Sequence, residues 1–93
     1  MSRPAVLVSQ HWLEDAVNVI ERLAREQATV TAEDLRKHHE APEHQNMIGS
    51  AFMIAYHKEL IEPIGYRQSN DKSRRGGAVR VWALHPRLKD AEQ

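Results

Sequence analysis

Between Gln10 and Gln27 the chain contains neither glycine nor proline, and Trp12, Ala16, Val19, Ile20 and Leu23 recur at intervals that fall on one side of a helix. Ser9 is a suitable N-cap, and most charged residues of the segment lie on the opposite side. Ala28-Thr29-Val30 is short and β-prone. Thr31 can accept from the first free amides of a second helix over Ala32–His39, whose positive end Glu33 and Asp34 complement. Leu35 is its apolar anchor, and Pro42 disfavours helical geometry in the residue before it. A third helix is predicted from Met47 to Leu60 with Asn46 as N-cap and Ile48, Ala51, Phe52, Ala55 and Leu60 turned inward. Gly49 costs such a helix about 1 kcal/mol relative to alanine. Close approach of the preceding helix would account for it; a loosened first turn is the other reading. After Pro63 the pattern changes period. Ile61–Tyr66 reads as extended, Gln68–Gly77 as a polar loop rich in turn formers, and Ala78–Leu84 as a strand. Pro86 closes that strand, and Arg87–Gln93 reads as a frayed, charged tail.

The resulting order is helix, short strand, helix, helix, strand, loop, strand. It predicts an α+β fold of winged helix-turn-helix type: three helices with a small antiparallel sheet, in which the short strand near Thr29 pairs with a β-hairpin wing. Residues 1–8 form an arm, 9–85 the domain and 86–93 a tail. The length, 93 residues, fits one domain.

Composition narrows the chemistry. There is no cysteine, which removes disulfides, thiolate zinc sites and cysteine nucleophiles and suits a reducing cytoplasm. No apolar run approaches the roughly 20 residues of a membrane span, and the stretch Ala5–Val8 is too short for a secretory signal. Thirteen basic and thirteen acidic residues give a formal net charge of zero. Their placement is uneven. From Gln10 to Gln27 four acidic residues face two basic ones, whereas from Tyr66 to Trp82 five bases face the single acid Asp71. The C-terminal third is therefore the candidate electrostatic footprint for phosphate.

Four stretches carry a resemblance: Val30–Leu35, Asn46–Phe52, Glu59–Tyr66 and Val79–Trp82. Leu60-Ile61, then Gly65-Tyr66, then a basic glycine-rich loop, then Val81-Trp82 is the most distinctive arrangement. The segment resembles small winged helix-turn-helix DNA-binding proteins of bacteriophages, especially those of actinobacterial hosts. Its third helix is less basic than is usual among them. The resemblance implies DNA binding in general, and the expected role is that of a transcriptional regulator or a replication or recombination accessory factor.

In a helix-turn-helix unit the second helix enters the major groove. Here it would present Gln45, Asn46, Ser50, Met53, His57 and Lys58. Amide side chains can bond bidentately to adenine, and a thioether can meet the thymine methyl. The other reading is a neutral solvent-facing side. The wing would present Arg67, Lys72, Ser73, Arg74, Arg75 and Arg80 to phosphates or a minor groove, with Gly76-Gly77 allowing close approach; a solvated hairpin tip is the alternative. His38, His39, His44 and His57 lack a familiar zinc spacing, and no nucleophile elbow or phosphate-cradling loop is present. The expected partner is double-stranded DNA, with no cofactor, no metal and no catalysis. Homodimerisation through the arm or the first helix would suit a twofold operator. The competing reading is a winged helix that binds a protein, favoured by the acidic first helix and neutral third helix.

Overall fold

The computed structural model describes residues 5–68 and 78–91, and side chains from Gln10 to Lys89 within that span. Among the described residues, four helices and three strands follow in the order α1 (Ala5–Gln27), β1 (Thr29–Val30), α2 (Ala32–His38), α3 (Asn46–His57), β2 (Ile61–Gln68), β3 (Ala78–Leu84) and α4 (Pro86–Ala91). The strands make an antiparallel sheet in the order β1-β3-β2. This is a small α+β domain, and β1 does pair with the hairpin, Val30 opposite Trp82.

The helical stripe of α1 is buried as its spacing requires. Trp12, Ala16, Ile20 and Leu23 pack against Leu35 of α2, Ile48, Ala51, Phe52 and Ala55 of α3, and Val30, Ile61, Trp82 and Leu84 of the sheet. Val19 and Leu60 are half-buried at its margin. The indole N–H of Trp12 is satisfied by the carbonyl of Glu40 at 2.8 Å, and the His39 ring lies 4.8 Å from the indole. These contacts fasten the segment between α2 and α3 onto α1.

Thr31 begins α2 as its side-chain chemistry predicts. Its hydroxyl accepts from the Asp34 amide at 3.3 Å, and the Asp34 carboxylate accepts from the Thr31 amide at 2.9 Å, a reciprocal cap. The start of α3 differs from expectation. Gln45, already helical at φ −60°, precedes the helix without a side-chain cap, and Asn46 is its first residue. The amides of Met47 and Ile48 donate to the His44 and Gln45 carbonyls instead, so the backbone supplies what the asparagine was expected to supply.

Two further expectations are corrected. Helix α1 already includes Ala5–Ser9, since Ala5-Val6-Leu7-Val8 holds no breaker and extends the same helix. Arg87–Gln93 is expected to fray, but Pro86–Ala91 form a fourth helix. Pro86 sits at its first position, where a fixed φ and a missing N–H suit helix entry, and Leu88 packs against the core. Arg87 donates to the carbonyls of Glu59 at 2.9 Å and Lys58 at 3.1 Å, so α4 fastens the C-terminal end of α3.

Strand β2 is an edge strand. Its register shifts between Pro63 and Gly65, and Gly65 has φ 155°, a conformation L side chains rarely adopt. Pro63 and the irregularity both discourage pairing with a further strand.

Candidate nucleic-acid interface

Helix α3 has a buried side and an outward side. Inward go Met47, Ile48, Ala51, Phe52 and Ala55; outward go Gln45, Asn46, Gly49, Ser50, Met53, Tyr56 and His57. The Ser50 hydroxyl donates to the Asn46 carbonyl at 3.2 Å, one turn back. Asn46 and Ser50 therefore share one exposed stripe, with Gln45, Gly49 and Met53 on the next.

That second stripe forms one wall of an open groove. The opposite wall is β3 at Ala78–Arg80, and Ala32 and Arg36 of α2 contribute at one end. Ile48, Phe52 and Trp82 lie at its base. Among the described residues no acidic side chain lines it.

Arg80 is held in place by aromatic neighbours. It pairs across the hairpin with Tyr66, and its guanidinium donates to the Tyr66 hydroxyl at 2.7 Å. The guanidinium carbon lies 5.3 Å from the Tyr66 ring centroid and 5.6 Å from that of Trp82. Trp82 in turn stacks on Phe52 at 5.7 Å and meets Tyr56 at 5.8 Å. A cation braced on two ring faces has fewer rotamers to lose on meeting an anion. Neither Arg36 nor Arg80 is paired with a described carboxylate.

Gln45, Met53 and Arg80 are thus brought together, with Asn46 and Ser50 one step round the helix. Two expected contacts lie elsewhere. Lys58 borders a separate depression between α1 and α3, alongside Gln10, Glu14 and Asn18. Arg67 reaches towards the start of α2, its guanidinium 3.4 Å from the Thr31 hydroxyl. His57 ends α3 beside Tyr56, ring centroids 5.6 Å apart. Lys72, Ser73, Arg74 and Arg75 fall outside the described residues. Among the described residues, no group of three or more histidines and carboxylates is placed to hold a metal ion.

Pattern reading did not single out Arg36, Tyr66 or Trp82 as members of this surface, and it gave Gly49 a different reason. Outside its own helix turn, no atom of the described residues lies within 4 Å of the position a Gly49 side chain would take, so the preceding helix does not require a glycine there. Arg36 follows Leu35, the buried residue of α2, and its part in the groove depends on how α2 crosses α3.

No described helix is long and apolar enough to cross a membrane. Compared with models of known protein families, with curated proteins and with solved structures, the chain matches none.

Proposed function

We propose that this domain is a winged helix that binds duplex DNA, α3 lying in the major groove and the β2–β3 hairpin serving as the wing. The role that suits it is that of a bacteriophage-type regulator or an accessory factor in transcription, replication or recombination, without catalysis. What supports it is one observation: the polar outward side of α3 and the braced Arg80 of the hairpin flank a single groove that no described acidic residue lines. A polyanion meets Arg80 on the hairpin wall and Arg36 at the α2 end, and base edges meet amide, hydroxyl and thioether groups on the helix.

Electrophoretic shift titrations across a salt series test this. The wild-type chain is expected to shift duplex DNA, and Arg80→Ala to flatten the log–log salt dependence by about 0.9, the change that follows when one phosphate is no longer neutralised. Replacing Arg74 and Arg75 together with alanine is expected to flatten it by about 1.8 with little change in folding stability. An unchanged slope in both variants would remove the hairpin from the interface.

A second reading has its own support. Met53, Tyr56, Ile64 and Tyr66 are large apolar side chains left at 41–65% exposure, a composition that also suits a protein partner. In that case binding to duplex would be weak in all salts, and Tyr56→Ala and Tyr66→Ala would abolish capture of the partner.

A further inference from the structure

Gly49 stands at the fourth position of a twelve-residue helix, exposed, with helical backbone and nothing within 4 Å of where a Cβ would lie. Among the described residues nothing asks for glycine there. Alanine would strengthen the helix, fit without displacing an atom and leave the core untouched. The neighbours of the empty space are informative. Gln45 and Met53 flank it one turn either way along α3, Arg36 stands at the α2 end of the groove, and Arg80 stands opposite on β3.

Resting on the DNA-binding reading above, we propose that Gly49 is the seat for one sugar–phosphate strand of the duplex, which passes between α3 and the hairpin with Arg36 and Arg80 on its phosphates. A duplex strand separating major from minor groove must cross the gap between an inserted helix and an adjacent hairpin. In this chain that gap is the groove whose α3 wall has no side chain at Gly49. The missing Cβ lets the strand come against the helix backbone, near enough for both arginines to reach phosphate oxygens. Charge supports this occupant over an acidic or purely apolar one, because the two ionised residues that line the groove among those described, Arg36 and Arg80, are both cations.

The test uses Gly49→Ala and Gly49→Leu in the full chain, with thermal unfolding and fluorescence anisotropy on a labelled mixed-sequence duplex over a salt series. Both variants are expected to fold, with Gly49→Ala melting higher by up to about 8 °C. Gly49→Leu is expected to bind about tenfold more weakly than wild type, and its log–log salt slope to flatten by about 1.8 as the two arginines are held off their phosphates. Arg36→Ala should flatten the wild-type slope by about 0.9 and produce a smaller further change in the Gly49→Leu background. If wild type binds the duplex and Gly49→Leu matches it in affinity and slope, the seat is refuted while DNA binding stands. If wild type itself fails to bind any duplex, the DNA-binding reading falls and takes the seat with it.

Discussion

Glu59 carries a left-handed backbone, φ 59°, at the end of α3, where its amide donates to the Tyr56 carbonyl and the Leu60 amide to that of Ala55. That pair of bonds is the Schellman arrangement, and glycine is its usual occupant. Ala28, at φ 73° after α1, donates to the Ala24 carbonyl in the related single-bond stop. Neither helix end shows a glycine, so residue type does not announce where either helix stops. Glu59→Gly is expected to raise stability by about 0.5–1 kcal/mol, since the left-handed penalty outweighs the added freedom of the unfolded chain. The exposed Glu59–Arg87 contact at 3.6 Å subtracts little from this. Urea unfolding measures it, and a midpoint below wild type would mean that the ion pair governs that corner. Trp12 gives the opposite case, a residue whose role follows from its type. Trp12→Phe removes the N–H that satisfies the Glu40 carbonyl and opens space beside His39, and it should lower stability by about 1–3 kcal/mol. A midpoint equal to wild type would show that the 39–45 segment is held by other contacts.

At the scale of elements, periodicity read well wherever one side of an element is buried. The stripes of α1 and α3, Leu35 of α2 and the reciprocal cap of Thr31 with Asp34 are all written in residue spacing. What was not legible depended on partners distant in sequence. Asn46 has the chemistry of an N-cap, yet a helical Gln45 moves it into the first turn. Helix α4 is too short to show a period, and its place is set by Leu88 against the core and Arg87 against α3. Arg87 brings positive charge and donors to the negative end of α3. Arg87→Ala should therefore cost about 1 kcal/mol and speed amide exchange in the last turn of α3 more than in α1. Equal exchange in both helices would assign α4 no part in holding α3.

For the molecule as a whole, neutrality conceals an uneven distribution of charge. The outward side of α1 carries Glu14, Asp15, Glu21 and Glu26, while the groove between α3 and the hairpin offers Arg36 and Arg80. Net charge therefore says little about which surface meets a polyanion. Half of the proposed DNA face was legible in advance. The outward positions Gln45, Asn46, Ser50 and Met53 follow from knowing which side of α3 is apolar. Arg36, Tyr66 and the true setting of Gly49 were not, because each depends on where α2 and the hairpin lie against α3. Lys58 shows the converse: close in sequence to these residues, it belongs to a different depression. Titration of isotopically labelled protein with duplex DNA, followed by amide and guanidinium NMR shifts, addresses the central claim most directly. The predicted result is perturbation of Arg36, Gln45, Asn46, Gly49, Ser50, Met53, Tyr66 and Arg80 and of the wing residues Arg74 and Arg75, with Glu14 and Asn18 on α1 undisturbed. Shifts clustered instead around Leu13, Val17 and Ile54, or none at any DNA concentration, would contradict it.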